Sequence, residues 1–299
     1  MSHLSGKFPF NKVGFHHGYP VPDSEFHTWI MQQVKVGGPD GHPLNIDVDF
    51  ELSDSSLHFQ RLALYGHNPL HMSRMLQSIA RRRDRNLLKS QQEGIARFEH
   101  LKSRITYDTV LEDGSLMNEI YDIFSEIFFN GTLRYLCKVE FDPEELSRCW
   151  GYCISPHNDP SGRQYIPDNV ASLIRLHKLG QNPNFQDPTK RLRQYTDTLL
   201  HEMLHAFLGI YTCMGGADCP SKIACEERFK EAIGFSGHRG QWQEAALEME
   251  IAAPAFLGQE FYMNRDASLR EEGEEYIASL SRETLDDWGF DEYGREIRK

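Results

Sequence analysis

The run Leu199-Leu200-His201-Glu202-Met203-Leu204-His205-Ala206 constrains this chain more than any other stretch. It reads H-E-x-x-H inside an apolar segment. On an α-helix, positions i and i+4 lie one turn apart on one face, so His201 and His205 project side by side. Two imidazoles in that geometry can ligate one zinc ion, and Glu202 beside the first can serve as general base for an activated water. The plainer reading is two histidines on a helix flank with a neighbouring surface Glu. The context argues against it.

That context is a well-punctuated helix. Asp187 suits the N-cap and Pro188 the first helical position, where its missing N–H is no loss. Gly209 follows the last periodic residue and suits the left-handed C′ position. Between them, Leu192, Tyr195, Leu199, Met203 and Leu204 supply an apolar face. A helix of about 20 residues buried on most sides gives a metal site a rigid platform. Asp197 stands one turn before His201, placed either to accept a hydrogen bond from a ligand imidazole or to lie in solvent.

Two histidines leave a zinc site one protein ligand short. His238, in Ser236-Gly237-His238-Arg239-Gly240-Gln241-Trp242, is the favoured third. The glycines let the chain turn sharply around it. From Gln241 to Ala253 good helix formers follow, with Trp242, Ala245, Ala246 and Met249 in an apolar stripe, and the helix is expected to stop at Pro254. The rival ligands are Glu244 and Glu248 on that second helix. Three ligands and one open position are the arithmetic of a catalytic zinc site.

Taken together, Thr198 to Leu208 and then Gly237-His238-x-Gly240-x-Trp242 resemble the SprT-like zinc metalloprotease domain, whose members include Spartan-type proteases of DNA–protein crosslinks. The resemblance covers about residues 113–258. It implies a zincin-like metalloprotease domain, with zinc on His201, His205 and His238 and with Glu202 catalytic. The 32 residues between His205 and His238 exceed the spacing the resemblance leads one to expect. The resemblance also implies a strand along the cleft whose free edge pairs with an extended peptide. Val170 to Leu176 is the strand assigned to that task, making Ala171, Ser172, Leu173, Ile174 and Arg175 candidate contacts for substrate backbone.

The rest of the chain supports an α+β fold, a small sheet packed on helices. Leu116, Ile120, Ile123, Phe124, Ile127 and Phe128 define an amphipathic helix ending near Asn130-Gly131. Leu133 to Phe141 and Cys149 to Ser155 alternate as strands, separated by a turn at Asp142-Pro143-Glu144. Three regions follow: an N-terminal region 1–112, the metalloprotease domain 113–258, and an acidic C-terminal tail 259–299. The first of these is irregular to about residue 68, broken by prolines and glycines. From Pro69 to Tyr107 it becomes a basic amphipathic helix. His16-His17 is read as a solvated turn. In the tail, the apolar clusters Tyr276-Ile277-Leu280 and Leu285-Trp288-Phe290 fit either a docked helix or a partner-binding segment, with a solvated tail the default expectation.

Charge narrows the partners. The net formal charge is −12, with 44 acidic against 32 basic residues. An acidic chain is a poor general binder of phosphate backbones. From His71 to Ile105, however, nine Lys/Arg face three Asp/Glu. DNA is therefore admitted through residues 71–105 but disfavoured overall; a helix with its charges in water is the plainer reading. No apolar run approaches the ~20 residues of a membrane span, and the N-terminus lacks a signal-peptide core. An intracellular protein, cytoplasmic or nuclear, is the default.

Such a protein keeps its thiols reduced, so the six cysteines are expected free. Cys213, Cys219 and Cys225 cluster in the insertion before His238, where a disulfide or a second metal are the alternatives. There is no C-x-x-C pair, so a zinc ribbon is not expected.

The function that follows is a zinc-dependent intracellular metalloendopeptidase acting on a protein or peptide substrate. A DNA-dependent protease of crosslinks or chromatin proteins is the second reading, and a non-catalytic zinc-binding scaffold the third. Tyr195, Tyr211 and Arg239 are the candidates for stabilising the reaction's oxyanion, with none preferred.

Overall fold

Asp187 caps the central helix as its sequence position requires, its carboxylate accepting the Thr189 N–H at 2.9 Å with Pro188 behind it. The computed structural model describes residues 65–297, apart from 85–86, 107–108, 143–148, 156–165, 167–169, 216–218, 220 and 235. The irregular reading of the N-terminal segment, the His16-His17 pair and most of the turn at 142–144 lie outside the described residues.

The described chain is α+β. Three helices come first: α1 (Pro69–Ala80), α2 (Lys89–Arg104) and α3 (Gly114–Phe129). Then come β1 (Cys137–Phe141), β2 (Gly151–Ile154) and β3 (Ser172–Leu176). The central helix is α4 (Pro188–Tyr211), followed by α5 (Lys222–Ala232) and α6 (Gly240–Leu257). Three short helices close the chain: α7 (Arg265–Glu271), α8 (Glu274–Ser279) and α9 (Arg282–Trp288). No helix among the described residues is long and apolar enough to cross a membrane.

The sheet order is β1-β3-β2, with β1 parallel and β2 antiparallel to β3. The last strand in sequence is thus the middle one. Both edges of β3 are paired, which removes Ala171 to Arg175 as acceptors of an added peptide strand. Their side chains agree: Ala171, Ser172, Leu173 and Ile174 are buried, and Arg175 reaches Tyr152 Oη at 3.3 Å. Of the sheet's two outer edges, that of β1 is engaged at Val139 by the Asn118 side chain, which donates to its carbonyl at 3.0 Å and accepts its N–H at 3.2 Å, while that of β2 has no strand on its other side among the described residues. β2 also lies close to α4: a Cβ on Gly151 would meet the Thr198 methyl at 2.7 Å.

One apolar core joins regions that composition had separated. Met72, Leu76 and Ile79 of α1, and Phe98 and Leu101 of α2, share a buried cluster with Phe124 and Phe128 of α3, Leu199 and Met203 of α4, and Met249 of α6. The packing therefore draws no line at residue 112. The 69–107 segment is not one helix either. A 3-10 turn at Arg81–Asp84 ends α1, and α2 restarts at Lys89. Buried Gln91 fastens the break, donating through Nε2 to the Ile79 and Ile127 carbonyls at 3.0 Å each.

Two helix ends differ from expectation and a third agrees. Gly209 lies buried inside α4, which runs to Tyr211 and stops at extended Thr212. α6 passes through Pro254 to Leu257 and ends on left-handed Gly258. Asn130, at φ 49°, closes α3 as read from the sequence.

The acidic C-terminal region is folded rather than a solvated tail. Phe261 and Met263 enter the main core. Leu269, Ile277, Leu285, Trp288 and Phe290 form a second apolar cluster among α7, α8 and α9. Arg265, only 2% exposed, donates to the Trp288 carbonyl at 2.9 Å and stacks on Phe290.

Candidate metal centre

His201 and His205 occupy successive turns of α4, and the segment after α5 carries His238 back over them. The three Nε2 atoms converge: 201 to 205 is 3.1 Å, 205 to 238 is 2.9 Å, and 201 to 238 is 3.2 Å. A tetrahedral zinc with Zn–N near 2.05 Å sets its imidazole nitrogens about 3.3 Å apart. The spacing fits a three-histidine metal site, and these residues form one of two donor groups able to hold a metal among the described residues. Glu202, 6% exposed, places Oε1 4.0 Å from His201 Nε2.

The rings are held by their other nitrogens and by their faces. His201 Nδ1 lies 2.8 Å from the Met263 carbonyl, which fixes an Nδ1–H donor and turns the Nε2 lone pair inward. Met263 is itself fixed, its N–H donating to Glu250 at 2.6 Å. His238 Nδ1 meets Ser236 Oγ at 3.0 Å. Trp242, fully buried, stacks on His205 at 5.6 Å and 24° and packs against His201 and His238, each at 4.8 Å.

The loop bearing His238 depends on an acidic residue far along the chain. Glu272, its side chain 1% exposed, accepts the His238 N–H at 3.0 Å, the Ser236 hydroxyl, and Arg239 Nε at 2.9 Å. Gly237 at φ 92° permits the turn, and a Cβ there would approach the His205 ring to 3.0 Å. Gly234, at φ 88°, leaves the space that the Glu272 carboxylate fills.

Electrostatics leave this cluster short of a cation. Burial drives the His201 pKa down to about 4. Burial and then the neighbouring rings take His238 to about 2 and His205 well below its ordinary range. Three neutral imidazoles thus aim lone pairs at one point, where mutual repulsion calls for a positive charge. Burial also raises Glu202, to about 8, with Glu271 adding to the effect. A carboxylate so placed takes a proton readily.

The other expectations divide. Glu244 accepts from Gln77, and Glu248 pairs with Arg81 and Arg83 at 2.7 and 3.1 Å, so both rival ligands are engaged with α1 and the turn after it. Asp197 does not serve a ligand ring; the Met263 carbonyl does. Nor is it solvated: at 6% exposure its pKa is pushed up to about 7 by burial. None of the three oxyanion candidates is directed at the cluster. Tyr211 donates to the Thr132 carbonyl at 2.6 Å, Tyr195 to Glu112 at 2.9 Å, and Arg239 is held by Glu272 and lies over Tyr276.

Sequence reasoning missed Glu272, Ser236, Met263 and the packing role of Trp242. The Ser236-Gly237-His238 triplet was a local hint for Ser236. Nothing local marks Glu272 or a backbone carbonyl. Comparison of the chain with known protein families, curated proteins and solved structures returned no match.

Proposed function

We propose that the chain is a zinc-dependent metalloendopeptidase, and that its zincin-like arrangement accounts for the resemblance to SprT-like proteases. The observation that carries the reading is the convergence of three neutral imidazole nitrogens within 3.2 Å beside a buried carboxylate. The donor set fits zinc: three imidazole nitrogens at tetrahedral spacing, two of them with outer partners in place, which leaves one tetrahedral position for a further ligand. When bound, the ion supplies a Lewis acid that polarises a carbonyl and activates water at neutral pH.

His201, His205 and His238 hold that ion; outer hydrogen bonds to Met263 and Ser236 keep the Nε2 atoms of His201 and His238 aimed inward, and the Trp242 ring backs His205. Glu202 takes the proton from the attacking water and returns it to the leaving amine. The open edge of β2, Gly151 to Ile154, is the proposed support for an extended peptide, replacing the Ala171 to Arg175 assignment. Its contact with α4 at Thr198 brings that edge to the helix carrying Glu202.

A protein or peptide substrate is preferred without DNA. The basic stretch is largely compensated: Arg81 and Arg83 pair with Glu248, Arg97 with Glu126, and Arg104 with Glu119. Paired cations contribute little to counterion release on a nucleic acid.

The test is digestion of an unstructured protein by the zinc-loaded chain, with and without DNA, beside Glu202→Gln. Cleavage by the parent, indifferent to DNA and lost in the variant while zinc is retained, supports the proposal. Equal turnover by the variant would place the chemistry elsewhere. Activity only with DNA would favour a crosslink protease, and a zinc-loaded parent inert on every substrate would favour a scaffold.

A further inference from the structure

A second convergence of donors lies where α4 ends. Cys213 follows the α4 cap, Cys219 sits in the succeeding loop, and Cys225 occupies the first turn of α5. Their sulfurs all lie within 4.8 Å of one another, with Cys213 and Cys219 3.5 Å apart. Thiolates on a tetrahedral zinc, with Zn–S near 2.3 Å, sit about 3.8 Å apart. Cys213 and Cys225 are buried at 8% and 2% exposure.

A disulfide between any two would leave the third sulfur in the cluster without an equivalent partner. A metal ion engages all three. Burial is the largest influence on these thiols and raises both Cys213, to about 12, and Cys225. Two smaller contacts act the other way: the Gly215 backbone N–H donates to the Cys213 sulfur, and Arg228, a turn after Cys225, lends positive charge to that thiol. Gly215 also draws the loop tight on α5. Its φ is 72°, and a Cβ there would collide with the Lys222 carbonyl at 2.4 Å.

We infer that Cys213, Cys219 and Cys225 bind a second zinc ion, which ties the end of α4 to α5 and braces the insertion leading to His238. The geometry belongs to these cysteines alone and does not rest on peptidase activity. Three thiolates leave one tetrahedral position for a further donor.

The test is metal content and cobalt spectroscopy on the full chain, reconstituted with Zn²⁺ or Co²⁺ under reducing conditions. The inference expects two ions per parent chain and one in Cys225→Ser. It also expects thiolate-to-cobalt charge-transfer absorption that survives in the triple variant His201→Ala/His205→Ala/His238→Ala and disappears in Cys225→Ser. If Cys225→Ser fails to fold, the triple histidine variant alone decides. The inference is overturned if the cobalt-loaded triple variant lacks that absorption. It is equally overturned if the unreduced, denatured parent yields four titratable thiols instead of six, with a disulfide occupying the cluster.

Discussion

The two donor clusters lie at and just beyond the C-terminal half of the same helix, yet they are built differently. The histidines are anchored from outside: Met263 and Ser236 orient two rings, Trp242 fills the space between all three, and Glu272 pins the loop. The cysteines sit within 13 residues of one another, on a helix end, a loop and a helix start. A site meant for chemistry needs ligands fixed from a second layer, with one coordination position open. A site meant for bracing needs donors that close a short loop. On the two proposals made above, the difference separates a working centre from a fastener.

The largest expected effect tests the working half of that contrast. Glu202→Gln should lower kcat on a protein substrate by about 10²- to 10⁴-fold with zinc content unchanged, read by peptide release and metal analysis together. Next, Glu272→Gln should weaken metal binding at the histidines by about 10- to 100-fold, measured by competition with a chelator. An unchanged affinity would mean that the loop holds itself and the outer layer is ornamental. Cys225→Ser should instead lower the melting temperature while kcat/KM stays within about threefold, because the bracing lies outside the reacting groups.

Acid offers a subtler probe. His201 has a folded pKa of about 4 against an ordinary 6.5, so below pH 6.5 the unfolded chain binds the proton that the folded one refuses. Its contribution to stability is complete above pH 6.5 and is lost as pH falls toward 4. Thermal melts of the metal-free protein should therefore weaken across that window, less so in His201→Gln. The smallest effect concerns Asp197, whose pKa of about 7 makes the folded state favour the protonated acid. That stability is complete below pH 3.8 and is lost as pH rises through 7. Asp197→Asn should stabilise by about 1–3 kcal/mol at pH 8 and by almost nothing at pH 4, in denaturant titrations.

Local signals carried much of the molecule. The α4 cap at Asp187-Pro188, the αL residue Asn130 and the three strand segments each follow from a few adjacent residues. His238 was found because glycines and a tryptophan mark it. The strand order was not legible: pairing is non-local, and β3 alternates no differently for being central than for being an edge. The same holds for Glu272, which looks like one of many acidic residues in a charged stretch until its buried partners are known. Gly209 and Pro254 misled for the opposite reason, since tertiary burial extended both helices past residues that locally favour stopping.

The Glu272 clamp sets an order of events during synthesis. The His238 amide waits for a carboxylate 34 residues further on. A nascent chain that has not reached Glu272 therefore lacks the carboxylate that holds the third imidazole's loop. On the peptidase reading proposed above, full competence would await the synthesis of Glu272, sparing any shorter nascent polypeptide from its own blade.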